Sequence, residues 1–294
     1  MASGWNTGDS ISNAVDFIID TARAERDNGT VMTRLVDRQT LPKNSGYTWD
    51  ETTVLRFDDP TGITETTELN DFRRFETSAL AITPTMVGLA HFWTDRAKAR
   101  LSTKVLAQTT VQMQNAFDRL KDKDLLVHMD TFASLGGAGT TITQGYIGAA
   151  AAVNATGRVD EPWDGAQATV LHSYQIKYLE DELLSGIGTY PTPNGLSEEV
   201  YRRGFRGMCR DTEIFFDNNL TIDSAADAKG GTFARGGGGA IVLVQGFNQR
   251  VKTREAPNKG GGGEEMYMYD DYGIGSRNTN WGTELYFDAT APTS

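Results

Sequence analysis

Residues 94–124 read TDRAKARLSTKVLAQTTVQMQNAFDRLKDKD. Ala97, Leu101, Val105, Met113, Phe117 and Leu120 fall at near-helical spacing, which predicts one long helix from about Thr94 to Asp124. At 1.5 Å per residue, about 30 residues make a rod of roughly 45 Å, more than twice the average helix. Its outer face carries Arg96, Lys98, Arg100, Lys104, Arg119, Lys121 and Lys123, the usual composition of a solvated face.

On the N-terminal side, Ile82-Thr83-Pro84-Thr85 marks an extended segment. Before it, Tyr47, Trp49, Val54, Leu55 and Phe57 form a β-rich run that ends in Asp58-Asp59-Pro60-Thr61-Gly62, strong turn chemistry. A polar, Thr-rich run follows and ends at Leu69 to Phe75. The two runs predict a long two-stranded arm with few apolar residues to bury. Such an arm is not stable alone in water, so it must lie on the rest of this chain or on a neighbour. Ser10 to Arg26 predicts a helix, with Ile11, Ala14, Val15, Ile18 and Ala22 at helical spacing and Ser10 as N-cap.

On the C-terminal side, Ser134 to Thr140 reads as a loop and Thr143 to Asn154 as an Ala-rich helix with Tyr146, Ala149, Ala150 and Val153 on one side. Ala168 to His172 reads as a strand running into a helix capped by Ser173, with Ile176, Leu179 and Leu183 inward. Pro191 to Gly195 form a loop before a short helix capped by Ser197. Strands are expected at Phe205 to Cys209, Glu213 to Phe216, Ala240 to Gln245, about Gln249 to Arg254, Met266 to Ile274 and Thr283 to Phe287. Two mobile glycine loops, Gly236 to Gly239 and Gly260 to Gly263, separate some of them. No internal repeat appears, and the class is α+β.

The 294 residues carry 28 basic and 39 acidic side chains, a net charge of −11. Tight binding to a phosphate backbone needs many Lys and Arg, so a broad nucleic-acid grip is excluded. Hydrophobic residues at 38% suffice for a core. No apolar run of about 18 residues exists, so no membrane span is expected. Met1-Ala2-Ser3-Gly4-Trp5 lacks the basic-then-apolar pattern of a secretory signal. The single Cys209 excludes an internal disulfide and reads as a buried structural thiol.

A search for chemistry returns little. His91, His128 and His172 lack metal-ligand spacing and read as core or interface histidines. There is no GxSxG elbow and no GxxxxGK[ST] loop. Asp58-Asp59, Glu180-Asp181-Glu182 and Asp270-Asp271 are carboxylate clusters without calcium-loop spacing. A glycosidase-like carboxylate pair needs only spatial proximity, so that reading stays open. An arm without its own core and no reactive constellation together describe a self-assembling subunit.

In this order the segments resemble the major capsid proteins of tailed bacteriophages, the HK97-fold group. Asn70 to Phe75, Ile82-Thr83-Pro84-Thr85 and Trp93-Thr94-Asp95 with the long helix look like the end of the extended loop and the spine helix. Ala168-Thr169-Val170-Leu171-His172-Ser173-Tyr174-Gln175 is similar to a family stretch written V-L-H-P-x-Q, with Ser173 where many members have Pro. Ala240 to Val244, Met268 to Gly273 and Trp281 to Leu285 look like the closing strands.

The resemblance implies an HK97-like fold with an N-arm at 1–43 and an extended β-hairpin loop at 44–80. A peripheral domain would take 81–142 and 264–294, with the spine helix at about 94–124, and an axial domain 143–263. It implies self-assembly into hexamers and pentamers of an icosahedral shell around double-stranded DNA, held weakly, in a virion built in the host cytoplasm. Catalysis, cofactors, metals and membranes play no part. Further partners would be a separate scaffolding protein, a portal and a decoration protein. The residues expected between copies are Trp49, Arg56, Asp58, Asp59, Glu65, Glu68, Arg73 and Arg74 on the loop, with Arg235 and Lys259 on the axial lobe. No Lys–Asn pair stands out for a covalent crosslink, so noncovalent locking is expected. An encapsulin-like nanocompartment shell, an enzyme with an unrecognised carboxylate site, and a tail or decoration protein remain as alternatives.

Overall fold

A computed structural model describes residues 28–44, 46–57, 59–60, 62–65, 76–100, 103–156, 161–186, 208–209 and 212–292. The expected helix at Ser10 to Arg26, the loop at Pro191 to Gly195, the Ser197 helix and most of the strand at Phe205 to Cys209 lie outside these residues.

Two sheets and a hairpin make up the β structure. The first sheet has the order β1 (Asp37–Thr40), β10 (Ile241–Glu255), β11 (Gly263–Ser276), β4 (Thr85–Thr94). The second has the order β5 (Ala133–Gly136), β12 (Gly282–Asp288), β9 (Asp227–Ala234), β6 (Gln167–Leu171), β8 (Thr212–Phe216), β7 (Met208–Cys209). The hairpin is β2 (Trp49–Val54) with β3 (Thr77–Ile82).

The long helix is present as α2 (Asp95–Arg100) and α3 (Thr103–His128), with 101–102 outside the described residues. It ends four residues later than expected, at His128. The 26 residues of α3 make a rod of about 39 Å. Met113 and Phe117 pack on Met266 and Met268 of the first sheet. Leu125 and Leu126 enter the junction between the sheets, with Met32 of α1 (Met32–Leu35), Val170, Phe233 and Ile241. The basic face is not all solvated. Lys121 is buried and pairs with the fully buried Asp270 of β11 at 2.6 Å.

The apolar runs read as strands are the strands covered on both faces. In β10, Ile241 and Leu243 face the junction, while Val242 and Val244 meet Ile82 at the hairpin root. In β6 every residue is buried; Val170 faces the junction and Leu171 faces the helices α4 (Gln144–Thr156) and α5 (Ser173–Gly186). Continuous apolar runs are what two covered faces require. The separate strands expected at Ala240 to Gln245 and Gln249 to Arg254 are one strand, β10, with register shifts near Phe247.

Four further readings are corrected. Ser134 to Thr140 is not all loop, because 133–136 form β5, parallel to β12. The buried face of α4 is Ile147, Ala150, Ala151 and Asn154, one step round from the expected face. The cap of α5 is not Ser173. His172 Nδ1 accepts the Tyr174 N–H at 3.2 Å, and Gln175 reaches back to the His172 N–H at 3.1 Å. The acceptor role needs a neutral imidazole, and burial holds the His172 pKa below its ordinary value. Cys209 is half-buried rather than buried. Among the described residues no helix is long and apolar enough to cross a membrane.

Candidate assembly surface

The β2–β3 hairpin pairs in register from Trp49 opposite Ile82 to Val54 opposite Thr77, and the Leu55 N–H extends it to the Glu76 carbonyl at 3.0 Å. Its root is fixed firmly. Ile82 is buried on Val242 and Val244, with Leu41, Trp49 and Leu80 around it. Gly273 and Gly275 of β11 make this seat: a Cβ on Gly275 would lie 2.5 Å from Ile82 Cδ1. Arg277 ties the root electrostatically, with Nη2 2.6 Å from Asp37 and Nε 2.7 Å from Glu51. Burial raises the Asp37 pKa, but hydrogen bonds from Gln39, Arg277 and the Gly238 N–H outweigh it and hold the carboxyl below its ordinary range.

Beyond the root the described hairpin residues belong to no core cluster. Val54, Leu55, Phe57 and Ile63 are exposed, and Tyr47 beside the root is 88% exposed. Several exposed large apolar residues on one two-stranded ribbon make it a candidate contact surface.

A second exposed surface lies on the first sheet. β4 is an edge strand of ten residues that pairs only with β11 among the described residues, and Met86 and Leu89 on it are exposed. Opposite Gly88, the Tyr269 ring packs within 3.3 Å of where a Cβ would stand, and Tyr269 lies parallel to Tyr267. On β10, Arg250 and Lys252 sit in register beside Tyr269 and Tyr267. Arg250 also covers the Phe247 ring at 4.1 Å. The result is a half-buried pair of tyrosines flanked by cations. Sequence reading missed Met86, Leu89, Tyr267 and Tyr269 as surface. The alternation of 266–272, where Met268, Asp270 and Tyr272 are buried, carried the signal.

The residues expected between copies divide into three groups. Arg56, Asp59 and Glu65 are exposed on the hairpin loop. Trp49 is half-buried in the root, Arg235 forms a two-point ion pair with Glu213, and Lys259 pairs with Glu265 beside Tyr267. Asp58, Glu68, Arg73 and Arg74 lie outside the described residues.

Two of the three carboxylate clusters have structural partners. Asp270 holds Lys121, Asp181 holds Lys177, and Glu182 accepts the Gln144 N–H at 2.8 Å. Among the described residues no group of three or more His, Cys, Asp or Glu is placed to hold a metal ion.

An α+β chain with a spine helix, two sheets and a projecting hairpin is the HK97-like capsid fold. No protein-family model and no curated protein matches the chain. Solved structures do. The capsid of cyanophage P-SCSP1u matches with a TM-score of 0.71 at 13% identity, over 95% of this chain and 94% of that one. The capsid of Ralstonia phage GP4 gives 0.67 at 11% identity over 93% and 95%. The cyanophage Pam1 capsid gives 0.67 at 10% identity over 99% and 100%.

Proposed function

We propose that this chain is the major capsid protein of a tailed phage, assembling into hexamers and pentamers of an icosahedral shell around packaged double-stranded DNA. The observation that carries the reading is the end-to-end likeness to phage capsid chains, 95% of this chain on 94% of the P-SCSP1u one. The coreless hairpin supports it, since its exposed apolar residues need a second copy to cover them. In this reading the first sheet with α3 is the peripheral lobe and the six-stranded sheet with α4 and α5 is the axial lobe. That division moves β10 to the peripheral lobe and β5 and β12 to the axial one, relative to the boundaries 81–142, 143–263 and 264–294. Arg56, Asp59 and Glu65 then lie against a neighbour, together with Asp58, Glu68, Arg73 and Arg74.

The net charge of −11 supports loose contact with DNA, which lets the packaged duplex slide. The reading assigns no catalysis and no cofactor. A separate scaffolding protein, a portal and a decoration protein are the further partners, and assembly takes place in the host cytoplasm. Negative-stain electron microscopy of the purified chain tests it. Closed shells or isolated five- and six-fold rings are expected, and a uniform small particle even with a scaffold supplied would refute it. Shells that enclose protein cargo instead of DNA would point to a nanocompartment.

A further inference from the structure

Asp122 and Asp217 are both fully buried, where three parts of the molecule meet. Asp122 lies on α3, Asp217 follows β8, and residues 28–31 lead into α1 as a strap across them. Asp122 Oδ1 accepts the N–H groups of Val31 and Met32, each at 3.0 Å. Asp122 Oδ2 accepts Asn219 Nδ2 at 2.8 Å. Asp217 Oδ1 accepts the Asn219 N–H at 2.9 Å. Asp217 Oδ2 has no hydrogen-bond partner of ordinary geometry, and the groups beside this carboxyl are the Asp122 carboxyl and, more weakly, the Val31 N–H.

Most of the surrounding cations are engaged elsewhere. Lys121 of α3 holds Asp270. Arg34 of α1 donates to the Thr30 carbonyl at 3.2 Å. Arg235 of β9's end holds Glu213 of β8. Lys123 and Lys229 line a hollow that Asp130 and Asn219 also border, and Lys229 pairs with Asp130 and Glu284. His172 after β6 is a neutral cap. Two adjacent carboxyls in a dry site without a cation do not both stay ionised.

We propose that Asp122 and Asp217 share one proton and thereby form a clasp that fastens the strap at residues 28–36 to the spine helix, and that the clasp loosens when the proton leaves. With the proton on Asp217 Oδ2, that O–H donates to Asp122, and the remaining single charge is held by the α1 amides. Loss of the proton to solvent leaves two facing negative charges. β8 and α3 are fixed by their packing, so the strap gives way. It has room to do so, because Asn28, Val31 and Arg34 border an open hollow of about 680 Å³ against Phe215 and Phe216.

Burial first, and then the Asp122 carboxyl, push the Asp217 pKa up to about 7 against the opposing pull of the Asn219 and Val31 N–H groups. Below the ordinary carboxyl value of 3.8 both folded and unfolded chains carry the proton. Between 3.8 and about 7 only the folded chain does, so this site's stability falls as pH rises through that window and is flat above it. The buried histidines act in the opposite sense, since burial lowers the pKa of His91, His128 and His172 and their contribution is lost as pH falls. The informative quantity is therefore the difference between wild type and Asp217→Asn, whose amide still donates to Asp122.

Melting temperature and amide hydrogen exchange of the full chain, from pH about 5 to about 8.5, test the clasp. Wild type should lose melting temperature relative to Asp217→Asn as pH rises. Its Val31 and Met32 amides should lose protection by about tenfold or more above neutrality, beyond the intrinsic rate change, while the variant keeps it. Equal pH profiles, or wild-type protection unchanged across the range, would overturn the proposal. So would a melting-temperature gain on adding calcium at pH about 8 that the variant lacks, since the pair would then hold a cation. If the variant does not fold, carboxyl ¹³C titration of wild type decides: one buried Asp titrating near neutrality supports the clasp, and none overturns it. None of these readouts requires shells, so they stand apart from the test of the coat reading.

Discussion

The six-stranded sheet and the β2–β3 hairpin are built from the same backbone ladder and satisfied in opposite ways. β6 has a strand on each side, the α4–α5 layer on one face and the junction on the other. Even its polar neighbours are paired internally: Asn154 donates to the Thr232 carbonyl at 3.0 Å and accepts Thr283 Oγ1 at 2.8 Å. The hairpin has one ladder, one buried anchor in Ile82, and exposed apolar side chains beyond it. The sheet's residues make their contacts within the chain, and the described apolar residues of the hairpin's tip would find theirs outside it in the proposed coat. Mutations in the two regions should therefore separate stability from assembly.

The largest effect on stability is expected from Phe287→Ala. Phe287 is fully buried, packs against the Tyr146 ring at 4.7 Å and fills the space left by Gly136. The loss should be about 3–5 kcal/mol, read from urea unfolding with an unchanged slope. Lys121→Met should cost a similar or slightly smaller amount, about 3 kcal/mol or more, by leaving Asp270 buried without its cation. Adding Asp270→Leu should recover most of it; if the double variant is no better than the single, the pair is not what holds α3 to β11. Ile82→Ala should cost about 2 kcal/mol and raise hydrogen exchange in β2 and β3 while leaving β6 protected. Leu55→Ser with Phe57→Ser should change stability by less than about 0.5 kcal/mol yet stop shell formation in electron micrographs. A destabilisation as large as that of Phe287→Ala would break the contrast, because the tip would then belong to the chain's own core.

Much of the sheet and helix framework was legible in the sequence, and the reasons are local. The run Ala168 to Leu171 and the run Ile241 to Val244 are apolar because both faces are covered, so they stand out from any background. Helical spacing from Ala97 to Phe117 survives because one face of α3 packs on methionines. β9 was not legible. Gly230 and Gly231 at its centre argue against a strand, yet a Cβ at Gly230 would sit 2.4 Å from the Val170 carbonyl oxygen, so only glycine admits the pairing with β6. Lys121 was misread as solvated because its partner Asp270 comes from β11, and nothing within a helical turn announces it. For the same reason Arg235 and Lys259 looked available, since Glu213 and Glu265 reach them only after the strands are in register. Of the candidate surface, the hairpin was visible as a polar arm with turn chemistry, while the tyrosine face was hidden in an alternation that needs the buried side to be known.

The place of β12 in its sheet has a consequence for how a copy of the chain is made. Residues 282–288 lie between β5 and β9, so the strand that closes the sheet is the last one synthesised. Until it leaves the ribosome, β5 has no partner strand and Phe287 is missing from beneath the α4–α5 layer. The hairpin, by contrast, is translated early and exposes its sticky tip for most of that time. A nascent copy therefore exposes its hairpin long before it owns a finished body, and in the proposed coat a truncated copy would carry the arm without the body at all.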